Sequence, residues 1–231
     1  MTENVNTTLP EDHGQLVQIA AEAVSLMGIL QIPQDARGLV IIPHGIEDVD
    51  TVPHQKMVQL TRNFYQRGLA TLLVDLFSSD ELVFDQRTNF FRQNIEIMQQ
   101  RLVGTAEWSL EKSAASNLSI GYFGLNVLAA AALAAAAARP DIAVAVVVGG
   151  SAMDLGWVDA PRVFAPTLLL GAEKDTVSVE QQKKLLTLLA SEKKQSEMVS
   201  GVASLFESQD AFDEVVRLSS DWFSQRLVPI I

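Results

Sequence analysis

Residues 118–139 read LSIGYFGLNVLAAAALAAAAAR. The opening run, 118–124, is short, apolar and bounded by glycine, the pattern of a strand buried on both faces. From Val127 the alanines carry the chain as a helix, because alanine has the highest helix propensity. No loop separates the two. The chain must therefore reverse within Gly124-Leu125-Asn126-Val127-Leu128. Asn126 sits at the tip of that turn, and asparagine enters positive φ more readily than most residues. A buried strand running straight into a helix is half of a crossover unit, and it makes parallel neighbours the first expectation.

The rest of the chain repeats the rhythm. Residues 14–33, GQLVQIAAEAVSLMGILQIP, read as two strands that open the sheet as an antiparallel pair. RGLVIIPHG (37–45) and LATLLVDLF (69–77) are buried strands, and TVPHQKMVQLTRNFYQRG (51–68) between them is an amphipathic helix with Thr51 as a cap and Gly68 as its stop. A polar loop is expected over 78–88. A long helix follows over about 89–115, with Phe91, Ile95, Met98, Leu102 and Ala106 at helical spacing. Strands IAVAVVVGG (142–150), PTLLLG (166–171) and QSEMVSG (195–201) then alternate with helices near 127–138, 178–190 and 210–227. The expectation is an α/β protein: a mostly parallel central sheet with helices on both faces and no large lid. Residues 1–14 read as a flexible tail and 15–231 as a single domain. In such sheets the functional loops lie at the carboxyl ends of the strands.

Composition narrows the function classes. The 231 residues are 48% hydrophobic and carry a net charge of −11, which supports a large core and disfavours nucleic acid and anionic membranes as partners. There is no cysteine, so disulfides, thiolate catalysis and Cys-ligated zinc are excluded. The longest mostly apolar run, 125–138, falls short of the roughly 20 residues of a membrane span. No signal-peptide pattern opens the sequence, so a cytoplasmic location is expected.

Five stretches taken together resemble the α/β-hydrolase fold, and within it the dienelactone-hydrolase-like branch. They are RGLVIIPHGIED (37–48), GLATLLVDLFSSDE (68–81), IGYFGLNVLAAAAL (120–133), APTLLLGAEKDTV (165–177) and SGVASLFESQDAFDEVVRLSSDWF (200–223). The resemblance implies a Gly-x-Ser-x-Gly elbow carrying a nucleophile, followed in chain order by an acid and a histidine. The serine position falls on Asn126, the acid position on Asp175 and the histidine position on Ser204, where the family reads His-Leu-Phe. A carboxamide and a hydroxyl thus replace the nucleophile and the base, and only the acid is kept. The final elbow glycine is Leu128. The backbone N–H groups of Ile46 and Val127 are candidates for an oxyanion hole, and His44, Gly45, Leu125, Ser151 and Met153 for the cleft lining.

Each position has a plainer reading. Asn126 suits a tight turn, Asp175 suits a helix cap, and His44 suits a loop support. A relocated centre would draw on Ser78, Ser79 or Ser151 with His44 or His54; a Ser151, His54 and Asp175 set is one such arrangement. The acidic residues Glu11, Asp12, Glu47, Asp48 and Asp50 read as solvated surface. The expectation is a catalytically degenerate member that binds a small molecule or a partner protein in the old cleft. The alternatives are an ester or lactone hydrolase with an atypical site, and a structural subunit associating with itself or with an active homologue. No cofactor and no metal are expected.

Overall fold

The computed structural model describes residues 14–21, 24–45 and 54–229. Eight strands form one sheet: β1 (Gln15–Ala21), β2 (Val24–Gln31), β3 (Leu39–His44), β4 (Ala70–Asp75), β5 (Ile120–Leu125), β6 (Ala143–Gly149), β7 (Thr167–Ala172) and β8 (Lys194–Val199). Their order is β1-β2-β4-β3-β5-β6-β7-β8. β1 pairs antiparallel with β2, and β2 antiparallel with β4, while every later pairing is parallel.

The helices are α1 (His54–Gln66), α2 (Ser79–Thr88), α3 (Ile95–Lys112), α4 (Val127–Ala138), α5 (Thr176–Leu188) and α6 (Gln209–Ser224). The alternation of side chains along β3 assigns them to faces. Leu39 and Ile41 join a core with Met98 and Leu102 of α3, Leu133 of α4 and Leu185 of α5. Val40 and Ile42 join a second core with Leu60 and Phe64 of α1 and Phe212 and Phe223 of α6. α4 lies deepest: Ala129 to Ala137 are all buried. Small side chains let that helix settle close to the sheet on one side and to α3 on the other.

One expectation is corrected. The stretch 78–88 is not a loop, and the long helix does not begin at 89. Ser78 caps α2 through a capping box with Glu81, and Asn89, left-handed at φ 55°, ends it. Buried Asp85 then accepts the N–H groups of Phe91 and Arg92 and the Arg92 Nε–H, at 2.7, 3.2 and 2.7 Å. Those bonds hold a non-helical turn, so Phe91 precedes α3 rather than lying on it. Thr51 of the expected α1 cap lies outside the described residues.

Candidate functional site

The parallel strands end at one edge, and the turn after β5 sits at its centre. Asn126 has φ 55° and ψ −129° there. This is backbone strain in a residue other than glycine, and the surroundings impose it. A Cβ on Gly124 would lie 2.4 Å from the Leu128 carbonyl oxygen, so strand and helix close on each other only because residue 124 has no side chain. Asn126 N–H donates to the Gly149 carbonyl at 2.8 Å, tying the turn to β6.

The Asn126 side chain turns towards the β6 end. Its Oδ1 accepts from the Ser151 N–H at 3.0 Å and from the Ser151 hydroxyl at 3.2 Å. A backbone N–H can only donate, so the amide oxygen must face it. Gly150 (φ 82°) makes room, since a Cβ there would lie 2.2 Å from Asn126 Oδ1. The next link reaches β7. Ser178 Oγ donates to the Gly150 carbonyl at 2.8 Å, and Ser178 N–H donates to Asp175 Oδ1 at 3.0 Å. Asp175 is the N-cap of α5. The band continues to the β8 loop through Lys174 N–H and the Val202 carbonyl, 2.9 Å apart. There Ser204 is exposed, and its N–H donates to the Glu207 carboxylate at 3.2 Å.

Asn126, Asp175 and Ser204 therefore lie along one stitched edge, and the bonds holding that edge are made to backbone groups. Val127 heads α4, where first-turn N–H groups have no intrahelical partner. Ile46 lies outside the described residues, as do Glu11, Asp12, Glu47, Asp48 and Asp50. His54 begins α1, and its side chain is not described. Leu125 is buried in the α1–α6 core, whereas Met153 is buried in the opposite core that Leu128 packs against. Leu125 thus lies on one face of the sheet, and Leu128 and Met153 on the other.

A second feature lies beside the elbow, at the ends of β3 and β4. His44 Nδ1 is 3.4 Å from Asp75 Oδ1. Together with Gly45 they line a cavity of about 180 Å³ whose other wall is Phe77 and, from α2, Ser79, Leu82 and Gln86. Arg92 closes it and is paired behind with Asp85. α2 is itself pinned by Glu81, which receives Arg101 at 2.6 and 2.9 Å while Arg101 also reaches the Leu76 carbonyl. Those bonds hold the Glu81 carboxyl below its usual range despite partial burial. Reading 78–88 as a loop hid Leu82, Gln86 and the helix that positions Ser79. The signal available was Ser78-x-x-Glu81, a capping box. Among the described residues no group of carboxylates or histidines is arranged to hold a metal ion, and no helix is long and apolar enough to cross a membrane.

A mostly parallel eight-stranded sheet, helices on both faces and a strained strand-to-helix turn at the centre of its carboxyl edge define the α/β-hydrolase fold. No family model matches the chain. The chain is, however, 34% identical to a dienelactone hydrolase from Anabaena variabilis, with 93% of this chain and 98% of that one covered and a TM-score of 0.86. It belongs to the dienelactone-hydrolase-like branch of the α/β-hydrolase superfamily. Est1E from Butyrivibrio proteoclasticus shares the fold at 12% identity, over 91% of this chain and 98% of that one, with a TM-score of 0.71. Two Mycobacterium tuberculosis proteins with a provisional phosphoribosyl transferase name are 33% identical over 213 residues, 91% of this chain. The chain spans about half the length of these curated relatives, 46% of each.

Proposed function

We propose that this chain is a catalytically degenerate hydrolase-fold protein that binds a small molecule or a partner protein at its strand-end cleft. One observation carries the reading: position 126 holds a carboxamide whose oxygen is engaged by the Ser151 N–H and hydroxyl. A carboxamide oxygen in that role is neither a nucleophile nor a base. The remaining acid, Asp175, caps a helix. Labelling with a fluorophosphonate probe tests the proposal, because the probe reports an activated serine anywhere in the chain. The expected result is no label, together with turnover of p-nitrophenyl esters far below the roughly 10 per second typical of enzymes. A labelled serine overturns it.

A second reading keeps hydrolysis of esters or lactones but moves the centre. The His44–Asp75 contact favours it, since Asp75 would orient the imidazole towards the cavity that Ser79 also lines. Mapping the label separates the two: modification of Ser79 selects this reading. The mycobacterial relatives suggest a partner rather than an activity. Their polypeptides join a stretch like this one to further sequence, so a phosphoribosyl-transferring domain is the partner to test by co-purification.

A further inference from the structure

The elbow and the cavity are chemically unlike. Around Asn126 the amide oxygen is engaged by the Ser151 N–H and hydroxyl, and the Gly150 carbonyl by Ser178. In the cavity Asp75 has its carboxylate half exposed, and His44 is its one ionic partner among the described residues. The 3.4 Å contact with His44 engages only Oδ1. Two more polar side chains line the same space, the Gln86 carboxamide and the Ser79 hydroxyl, and neither makes a side-chain hydrogen bond among the described residues. The apolar share of the wall comes from Phe77 and Leu82.

The charge balance decides what such a space accepts. Arg92 brings a positive charge to the wall, but buried Asp85 neutralises it at 2.7 Å. Glu81 and Arg101 neutralise each other on the far side of α2. Among the described residues Asp75 has His44 as its one ionic partner, and its carboxylate is half exposed. A carboxylate ligand would be repelled by that charge at close range, whereas an ammonium group would pair with it and could donate further to Gln86 and Ser79. The chain's net charge of −11 favours approach of a cation in the same sense. Size sets the other limit. About 180 Å³ is below the range of drug-sized sites, and a cavity of roughly 150 Å³ takes a single benzene ring.

We propose that the cavity between β3, β4 and α2 is a binding site for a small amine of about one ring, with Asp75 pairing its ammonium group and Phe77 and Leu82 packing on its apolar part. The proposal builds on the reading of the chain as a binding protein and names the ligand class. The test uses the full chain and three probes of matched shape: benzylamine, benzyl alcohol and benzoate. Calorimetric titration should give saturable binding of benzylamine, weaker binding of the alcohol and none of benzoate. Asp75→Asn keeps an oxygen for His44 and should weaken benzylamine at least about tenfold. Leu82→Trp fills the cavity and should abolish binding. Should that core-facing change unfold the chain, Gln86→Trp, at an exposed helical position, obstructs the mouth and should do the same. Benzoate binding as tightly as benzylamine overturns the proposal. So does an absence of benzylamine binding, or binding that both Asp75→Asn and a folded blocking variant leave unchanged. Serine labelling reports on the binding-protein reading and amine titration on this one, so either can fail without the other.

Discussion

The two halves of the carboxyl edge are built differently. At the ends of β5, β6 and β7, side chains are engaged with backbone: Asn126 with Ser151 N–H, Ser178 with Gly150, Asp175 with Ser178. At the ends of β3 and β4, the Gln86 carboxamide and the Ser79 hydroxyl line a cavity without a side-chain hydrogen bond among the described residues. The elbow geometry is held by packing, since a Cβ on Gly124 would lie 2.4 Å from the Leu128 carbonyl oxygen.

The comparison breaks most directly at glycine. Gly124→Ala forces a methyl group against the Leu128 carbonyl, 2.4 Å away. A loss of about 3 kcal/mol or more is expected in urea unfolding, near the upper end for overpacking. A loss under about 1 kcal/mol would show that strand and helix can part, and that the elbow is not held by packing.

Asn126 should come next. Asn126→Ala removes the acceptor for two donors and leaves a methyl-bearing residue at φ 55°, so a loss of about 2 kcal/mol is expected. Asn126→Gly loses the same bonds but relieves the backbone, and it should cost clearly less. Equal losses would mean the strain is slight. Asp175 gives a smaller and sharper test. Asp175→Ala should lose about 1 kcal/mol as a cap, whereas Asp175→Asn should be close to neutral because asparagine caps equally well. An acid that supported catalysis would not tolerate that second change without a loss of rate.

The smallest effect lies on the cavity side. Arg101 holds the Glu81 carboxyl below its ordinary value of 4.5, so the pair contributes stability that is present above that pH. The contribution is lost as pH falls through the lower, folded value. Glu81→Gln should therefore lower stability in the neutral region, where the pair contributes, and flatten the acid limb of stability against pH. A variant with the same acid profile as the parent would remove Glu81 from the fastening of α2.

The same contrast explains what the sequence could disclose. The central strands β3 to β7 were legible because nearly every residue is buried, so each reads as a largely apolar run. α4 was legible because its alanines follow the elbow without a break, and the antiparallel opening pair was read correctly. α2 was not, because its pattern is inverted: Val83 and Phe84 are exposed while Asp85 is buried. Hydrophobic periodicity finds a helix only when its apolar residues face the core. The elbow could be read from local glycine and asparagine chemistry. The cavity could not, since His44, Asp75, Gln86 and Arg92 come from separate segments and meet only in the folded chain.

The strain at Asn126 has a consequence in genetics. Whatever occupies position 126 must accept the positive φ that Gly124, Gly150 and α4 impose, so selection for stability alone maintains a turn shaped for a nucleophile. Every asparagine codon is a single base change from a serine codon. No serine codon is nearer than two changes from a histidine codon, which is the distance facing Ser204. Mutation would therefore sample a hydroxyl at position 126 often and an imidazole at position 204 seldom.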